Sequence, residues 1–255
     1  MTWTHNLNPV ALDIGFFQIR WYGIMYVIGY LLVSYWLNKA AKEQTISIDK
    51  KATEDILFWL TIAIVAGARL GYVLFYNLSH YVNNPLSIIA VWQGGMSFHG
   101  GLAGGIIATY IMSKKHKTGF FKLASILITP LALGHSLGRI GNFINGELFG
   151  KITTLPWGII FPGVEGARHP TQLYEAGTSF LIFIILYSIK ERKLPVFMIL
   201  YSIARFSIEF LREPDPQLGM IGPLSMGQWL TIPVLAIGIY LWTKEINKRT
   251  LNQNT

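Results

Sequence analysis

The sequence contains no cysteine. Within these residues that excludes disulfides, thiolate metal sites and a nucleophilic thiol. Charge is scarce too: Asp, Glu, Lys and Arg make up 13% of 255 residues, where a soluble domain has about 25%. Long stretches therefore hold no side chain that requires water. No HExxH or other metal-ligand spacing occurs, and the glycine-rich segments lack the GK[ST] ending of a phosphate loop. No metal or other cofactor is expected. Repeats, low-complexity tracts and linkers are missing as well, so a single integral-membrane domain over residues 1–255 is the simplest organisation. No small-residue cleavage site follows the first apolar run, so the N-terminus does not read as a secretory signal.

What is abundant is apolar sequence, 52% of the residues. Trp21–Leu37 runs without a charge, a helix of about 25 Å against a hydrocarbon core of about 30 Å. Ile56–Leu78 is interrupted only by Arg69, and Phe120–Leu137 only by Lys122. Phe98–Met112 is short and glycine-rich, and Ile88–Trp92 is expected to extend it backward, unless Gly94, Gly95, Gly100 and Gly101 break the helix. Ala176–Ile189, Pro195–Leu211 and Trp229–Trp242 complete an all-α polytopic membrane protein of about seven transmembrane helices. The connection from Gly138 to Pro170 is the longest without a basic cluster, and its 150–170 part, with Thr153, Pro156, Gly158, Pro162 and Gly163, is expected to form a small irregular or β head.

The basic residues give the orientation. Lys39, Lys42, Lys50 and Lys51, then Lys114, Lys115, Lys117 and Lys122, then Lys190, Arg192 and Lys193, then Lys244, Lys248 and Arg249 occupy alternate connections. These should face the cytoplasm, with the N-terminus periplasmic and the C-terminus cytoplasmic. The net charge of +8 is then a topology signal beside anionic lipid, and no nucleic-acid partner is expected.

Setting those aside leaves Arg20, Arg69, Arg139, Lys151, Arg168, Arg205 and Arg212. A charge inside a membrane costs at least about 2.5 kcal/mol on insertion scales, so it needs a partner or a function. Arginine in particular offers two parallel donors to phosphate or carboxylate. In GHSLGRIGNFINGELFG, Gly134–Gly150, the glycines at 134, 138 and 141 allow close approach, and Arg139 shares a face with Asn142. Tyr201, Arg205 and Glu209 form a polar stripe on one apolar helix, which a purely structural ion pair would also produce. His99, among glycines, is either a helix cap or a proton carrier. His135 lies one turn before Arg139; His5, His80 and His116 read as surface residues. RHPTQLYE, Arg168–Glu175, opens a helix with polar groups that suit either a cap or a site.

Together RWYGIMY at 20–26, GARLGYVLFYN at 67–77, GGMSFHGGLAGG at 94–105, GRIGNFINGELFG at 138–150, RHPTQLYE at 168–175, RFSIEFLREPD at 205–215 and SMGQ at 225–228 resemble the prolipoprotein diacylglyceryl transferase family, in order along nearly the whole chain. The resemblance implies a multi-pass transferase of the bacterial inner membrane. Its partners would be phosphatidylglycerol, in the lipid bilayer, and prolipoprotein signal peptides with a lipobox cysteine. The diacylglyceryl group would move to that thiol as a thioether, releasing glycerol phosphate, as the first step of lipoprotein maturation. The family's important positions fall on Tyr22, His99, Arg139, Asn142, Gly150, Tyr201, Arg205 and Glu209, with Arg139 matching the lipid-binding arginine. Some relatives carry a longer segment before RHP, so a smaller head is expected here. On this footing the expected roles are phosphate binding by Arg139 and Arg205, headgroup placement by Asn142, proton removal by His99 or orientation of the group that removes it, and support of Arg205 by Glu209. A transporter or lipid flippase and a membrane scaffold remain the competing classes; the missing repeat counts against the first and the polar stripe against the second.

Overall fold

The computed structural model describes residues 2–213 and 220–253, with the side chains of 220, 221 and 245–253 excepted. Pro214 and Asp215, from the sixth motif, and the side chains of Lys248 and Arg249 lie outside the described residues. The chain forms two compact units, one from Met1–Leu32 with Leu127–Thr255 and one from Val33–Ile126.

The helices are α1 (Trp21–Lys42), α2 (Lys50–Tyr76), α3 (Leu78–Asn83), α4 (Phe98–Lys115), α5 (Phe120–Asn145), α6 (Thr171–Ser188), α7 (Lys193–Glu209) and α8 (Met226–Gln253). The fold is that of a helical membrane protein. Lys50–Tyr76, Phe120–Asn145 and Met226–Lys244 are long and apolar enough to cross a bilayer by length and composition.

In the Val33–Ile126 unit, α2 starts at Asp49, whose carboxylate accepts the Ala52 amide at 2.7 Å. It packs on α4 through glycine. A methyl group on Gly71 would come within 2.8 Å of the Gly100 Cα, and one on Gly104 would collide with the Ala63 carbonyl. Ile88–Trp92 does not extend α4, contrary to the sequence expectation: it lies in short 3-10 turns over Pro85–Ile89 and Val91–Gln93. Gly94 and Gly95 follow at φ +85° and +74°, a left-handed region that ends a helical run. Ser97 then restarts the chain, its hydroxyl accepting the Gly100 amide at 3.3 Å. Arg69, 4% exposed, ties this irregular stretch together: Nε donates to the Ile88 carbonyl at 2.8 Å, Nη2 to Ser87 at 2.6 Å, and Nη1 to Gly94 and Gly95. Its guanidinium also lies 5.1 Å from the centre of the Tyr81 ring. Arg69 thus has the partners that a charge in an apolar stretch requires. His116 is no free surface residue either, since Nε2 sits 2.7 Å from Asp55 Oδ2, which Lys115 also reaches at 2.7 Å.

In the other unit, strand β1 (Trp3–Thr4) precedes a hairpin of β2 (Val10–Asp13) and β3 (Gln18–Arg20). β1 runs parallel to β4 (Ile159–Ile160), which pairs antiparallel with β5 (Ala167–Arg168). A last hairpin joins β6 (Met220–Ile221) to β7 (Leu224–Ser225). His5, read from sequence as a surface residue, is buried: its Nε2 lies 2.7 Å from the Phe143 carbonyl oxygen, among Trp3, Phe143 and Phe161. Burial of this ring among aromatic partners outweighs the polarity on which the surface reading rested. Between α5, α6 and α7, an apolar core of Ala132, Ile182 and Leu186 packs with Ile128, Phe197, Leu200 and Tyr201.

Candidate functional site

The site is built where α5 runs two turns beyond the apolar stretch seen in sequence. Its last residues are GRIGNFIN, so Arg139 and Asn142 are fixed by helix geometry rather than by a loop. Two glycines allow this packing. Gly134 faces Gly29 of α1, and Gly141 sits against Tyr22, where a methyl group would come within 2.9 Å of the ring. Tyr22 in turn shares a 3.0 Å hydrogen bond with the Tyr26 hydroxyl.

From Arg139 a polar chain runs outward along the motif. Nη1 donates to Asn142 Oδ1 at 3.1 Å, and Asn142 Nδ2 donates to Glu147 Oε1 at 2.8 Å. Asn145 Nδ2 donates to the same oxygen at 3.1 Å. Gln172 Nε2 donates to the Glu147 carbonyl at 2.6 Å, and the Thr171 hydroxyl to the Leu148 carbonyl at 3.1 Å. The start of α6 thus clamps the segment after α5.

In the other direction Arg139 meets Glu175, in the second turn of α6 and 3% exposed. Nε lies 2.7 Å from Oε2, although its N–H is not aligned for a hydrogen bond, so this is a charge contact. Arg205 Nη1 donates to Glu175 Oε1 at 3.2 Å, and Arg212 Nη1 donates to the same oxygen at 3.1 Å. Three guanidiniums converge on one carboxylate. The stripe on α7 completes the cluster: Arg205 Nη2 lies 2.8 Å from Glu209 Oε2, and Arg212 Nε lies 3.7 Å from it. The Ser225 hydroxyl donates to Glu209 Oε1 at 2.8 Å. A methyl group on Gly227 would fall 2.5 Å from that oxygen, so the start of α8 closes over Glu209.

Gly150 is held by its amide, which donates to the His169 carbonyl at 2.8 Å, and a methyl group there would collide with the Leu211 carbonyl. Tyr201 stacks on Phe197 at 5.3 Å and meets the His135 ring edge-on at 5.7 Å. His135 Nδ1 lies 2.8 Å from the Ser179 hydroxyl. Lys151 donates to the Phe210 carbonyl at 2.9 Å, and Arg168 pairs with Glu213 at 2.7 Å.

Seven of the eight positions singled out in sequence, Tyr22, Arg139, Asn142, Gly150, Tyr201, Arg205 and Glu209, therefore belong to one unit. Arg139, Asn142, Arg205 and Glu209 are joined there by direct contacts or through Glu175. His99 belongs to the other unit, exposed in the first turn of α4 behind the Ser97 cap. Sequence reasoning left out Glu175, Glu147 and Arg212 as site members. All three lie in quoted motifs, but nothing in a linear pattern says that the RHPTQLYE carboxylate meets the arginines of two other segments. Chemically, an arginine carries five N–H donors, more than the observed contacts of Arg139 and Arg205 use, and such donors suit an anion.

A sequence model of the family described as prolipoprotein diacylglyceryl transferase matches residues 9–244. Among curated proteins the chain is similar to those named phosphatidylglycerol–prolipoprotein diacylglyceryl transferase. The one from Geobacter sulfurreducens is 45% identical over 92% of this chain and 94% of its own length. The one from Rickettsia canadensis is 46% identical over 91% and 95%. The one from Bordetella bronchiseptica is 44% identical over 93% and 96%.

Proposed function

The chain belongs to the prolipoprotein diacylglyceryl transferase family, and on that premise we propose that the arginine cluster is where it holds the phosphate of its lipid substrate. The protein is a membrane transferase of lipoprotein biosynthesis. It transfers the diacylglyceryl group of phosphatidylglycerol to a prolipoprotein, the first step of lipoprotein maturation. The observation that carries the site assignment is the convergence of Arg139 and Arg205 on one buried carboxylate beside Asn142.

In this reading the acceptor is the lipobox cysteine, as its thiolate. Sulfur attacks the glycerol carbon that bears the phosphate, the C–S bond forms, and the C–O bond breaks. The electron pair of that bond leaves on oxygen, glycerol phosphate departs, and the thiol proton passes to a base, for which His99 is the candidate. Arg139 and Arg205 bind the phosphate and stabilise the charge that grows on it. Asn142, steadied by Glu147, places the headgroup with Tyr22. Glu209 holds Arg205 in line, Tyr201 lies one turn before it on the same helix, and Gly150 allows the close backbone contact beneath the site.

Around this chemistry we read one integral-membrane domain of seven spans in the bacterial inner membrane. Its N-terminus is periplasmic, its C-terminus cytoplasmic, and the 150–170 segment forms a small periplasmic head. The alternation of basic connections supports this orientation.

The test incubates purified protein with phosphatidylglycerol and a lipobox peptide and follows the peptide mass. Addition of a diacylglyceryl group is expected, and Arg139→Ala should lose at least about a hundredfold in rate, the scale of a lost oxyanion donor. Wild-type turnover by that variant would sink the phosphate assignment. A flippase or scaffold would leave the peptide mass unchanged.

A further inference from the structure

Glu175 stands where an anionic ligand of the arginines would be expected, yet it is part of the protein. Its two oxygens meet Arg139, Arg205 and Arg212 at 2.7, 3.2 and 3.1 Å. The three arginines come from α5, α7 and the turn after α7, and among the described residues Glu175 on α6 is the one acidic group seen to touch all of them. Glu209 reaches Arg205 and Arg212. Among the described residues these three guanidiniums touch two carboxylates, and Glu175 lowers the charge of the cluster by one unit. Without it the cluster would be one unit more positive, and three cations, Arg212 buried and Arg139 and Arg205 partly so, would repel one another.

That unit matters for the reaction. The phosphodiester of phosphatidylglycerol carries one negative charge. Breaking its C–O bond leaves the electron pair on oxygen, so the departing phosphate monoester carries two. Each added positive charge holds the dianionic product more strongly than the monoanionic substrate and slows its departure. One unit less shifts the balance toward release.

We propose that Glu175 is a positioning residue that keeps the three guanidiniums converged and lowers the positive charge of the site by one unit, so that it accepts a monoanionic phosphodiester and releases a dianionic monoester. This rests on the reading of Arg139 and Arg205 as phosphate ligands. Glu175 itself makes no bond in the transfer. Its carboxylate stays behind the guanidiniums while their remaining N–H groups face the lipid phosphate.

The experiment measures kcat, KM for phosphatidylglycerol, and the inhibition constant of added glycerol phosphate, on the full chain in detergent micelles. The thermal midpoint of each variant is recorded alongside. Glu175→Gln preserves shape and removes the charge. One added unit of site charge should lower the inhibition constant about tenfold or more. At the same time KM does not rise and kcat falls at least about tenfold, through slower release and loosened arginines. Adding Arg212→Gln to Glu175→Gln removes the added unit of charge and should return the inhibition constant to within about threefold of wild type. A purely structural Glu175 would lower the thermal midpoint and the active fraction without moving that constant. An inhibition constant for Glu175→Gln within about twofold of wild type overturns the proposal, whatever kcat does.

If Glu175→Gln does not fold, Arg212→Gln alone decides. It lowers the site charge by one unit and should weaken glycerol phosphate about tenfold; an unchanged constant overturns the proposal. Failure of the underlying reading looks different. There Arg139→Ala keeps turnover, whereas failure of this inference leaves Arg139→Ala inactive and the inhibition constants of the charge variants flat.

Discussion

Arg205 shows why residue identity matters more here than charge. Its Nη1 and Nη2 reach two different carboxylates, Glu175 at 3.2 Å and Glu209 at 2.8 Å. A lysine ammonium is a single point at the end of a flexible stem and cannot take both contacts in one geometry. Arg205→Lys should therefore cost at least about tenfold in kcat/KM despite keeping the charge, read by the peptide mass assay. Gly150 makes the complementary case. A methyl group there meets the Leu211 carbonyl, Thr171 and His169 at once, and none of these is the loose end of a long side chain. Gly150→Ala should destabilise the fold by about 1–3 kcal/mol, seen as a lower thermal midpoint, with activity falling in parallel. At this scale much of the site was legible, because an arginine or a tyrosine stripe inside apolar sequence stands out. Glu175 was not, because a carboxylate near a helix start has a sufficient local explanation. Its three partners lie 36, 30 and 37 positions away.

Among the elements, α2 and α4 illustrate what glycine spacing encodes and what it leaves out. The density of glycine in 94–105 announced close approach, but not the identity of the approaching surface. The structure supplies it: Gly67 and Gly71 of α2 lie against Gly100, and Ala63 against Gly104. Gly100→Leu should drive these helices apart, with an expected loss of about 1–3 kcal/mol in thermal stability; an unchanged midpoint would refute that packing account. The helix α5 is the opposite lesson. Its unbroken apolar run stops at Leu137, because glycine and polar residues then interleave with Ile140, Phe143 and Ile144, although Arg139 and Asn142 keep helical spacing. Packing of Tyr22 on Gly141, and the tie from Asn142 to Glu147, carry the helix on to Asn145. Weak local propensity is overridden by tertiary contacts. For the stretch before α4, the apolar run of Ile88–Trp92 suggested helix, whereas two glycines at positive φ and an arginine collecting carbonyls made it irregular.

For the molecule as a whole, the proposed orientation rests on where lysine and arginine fall, and the absence of native cysteine makes it easy to test. Single cysteines replacing Lys114 and Glu165, both exposed, should report opposite sides. An impermeant maleimide added to spheroplasts is expected to label the variant at 165 and to spare the one at 114 until the membrane is opened. Equal labelling of both in intact spheroplasts would reverse the topology or the span count. Composition and charge thus carry the class of the molecule and its expected orientation, while the division into two units with separate packing has no signature in the linear pattern.

Arg69 also has a consequence in time. Its carbonyl acceptors lie 18, 19, 25 and 26 residues further along the chain. At a synthesis rate of about 5–20 residues per second, this guanidinium waits roughly 1–5 s after it is made before the last of them exists. Over that interval α2 is a helix with an uncompensated cation. That cation costs about 2.5 kcal/mol or more in hydrocarbon, a cost that falls once the following segment emerges beside it and offers its carbonyls.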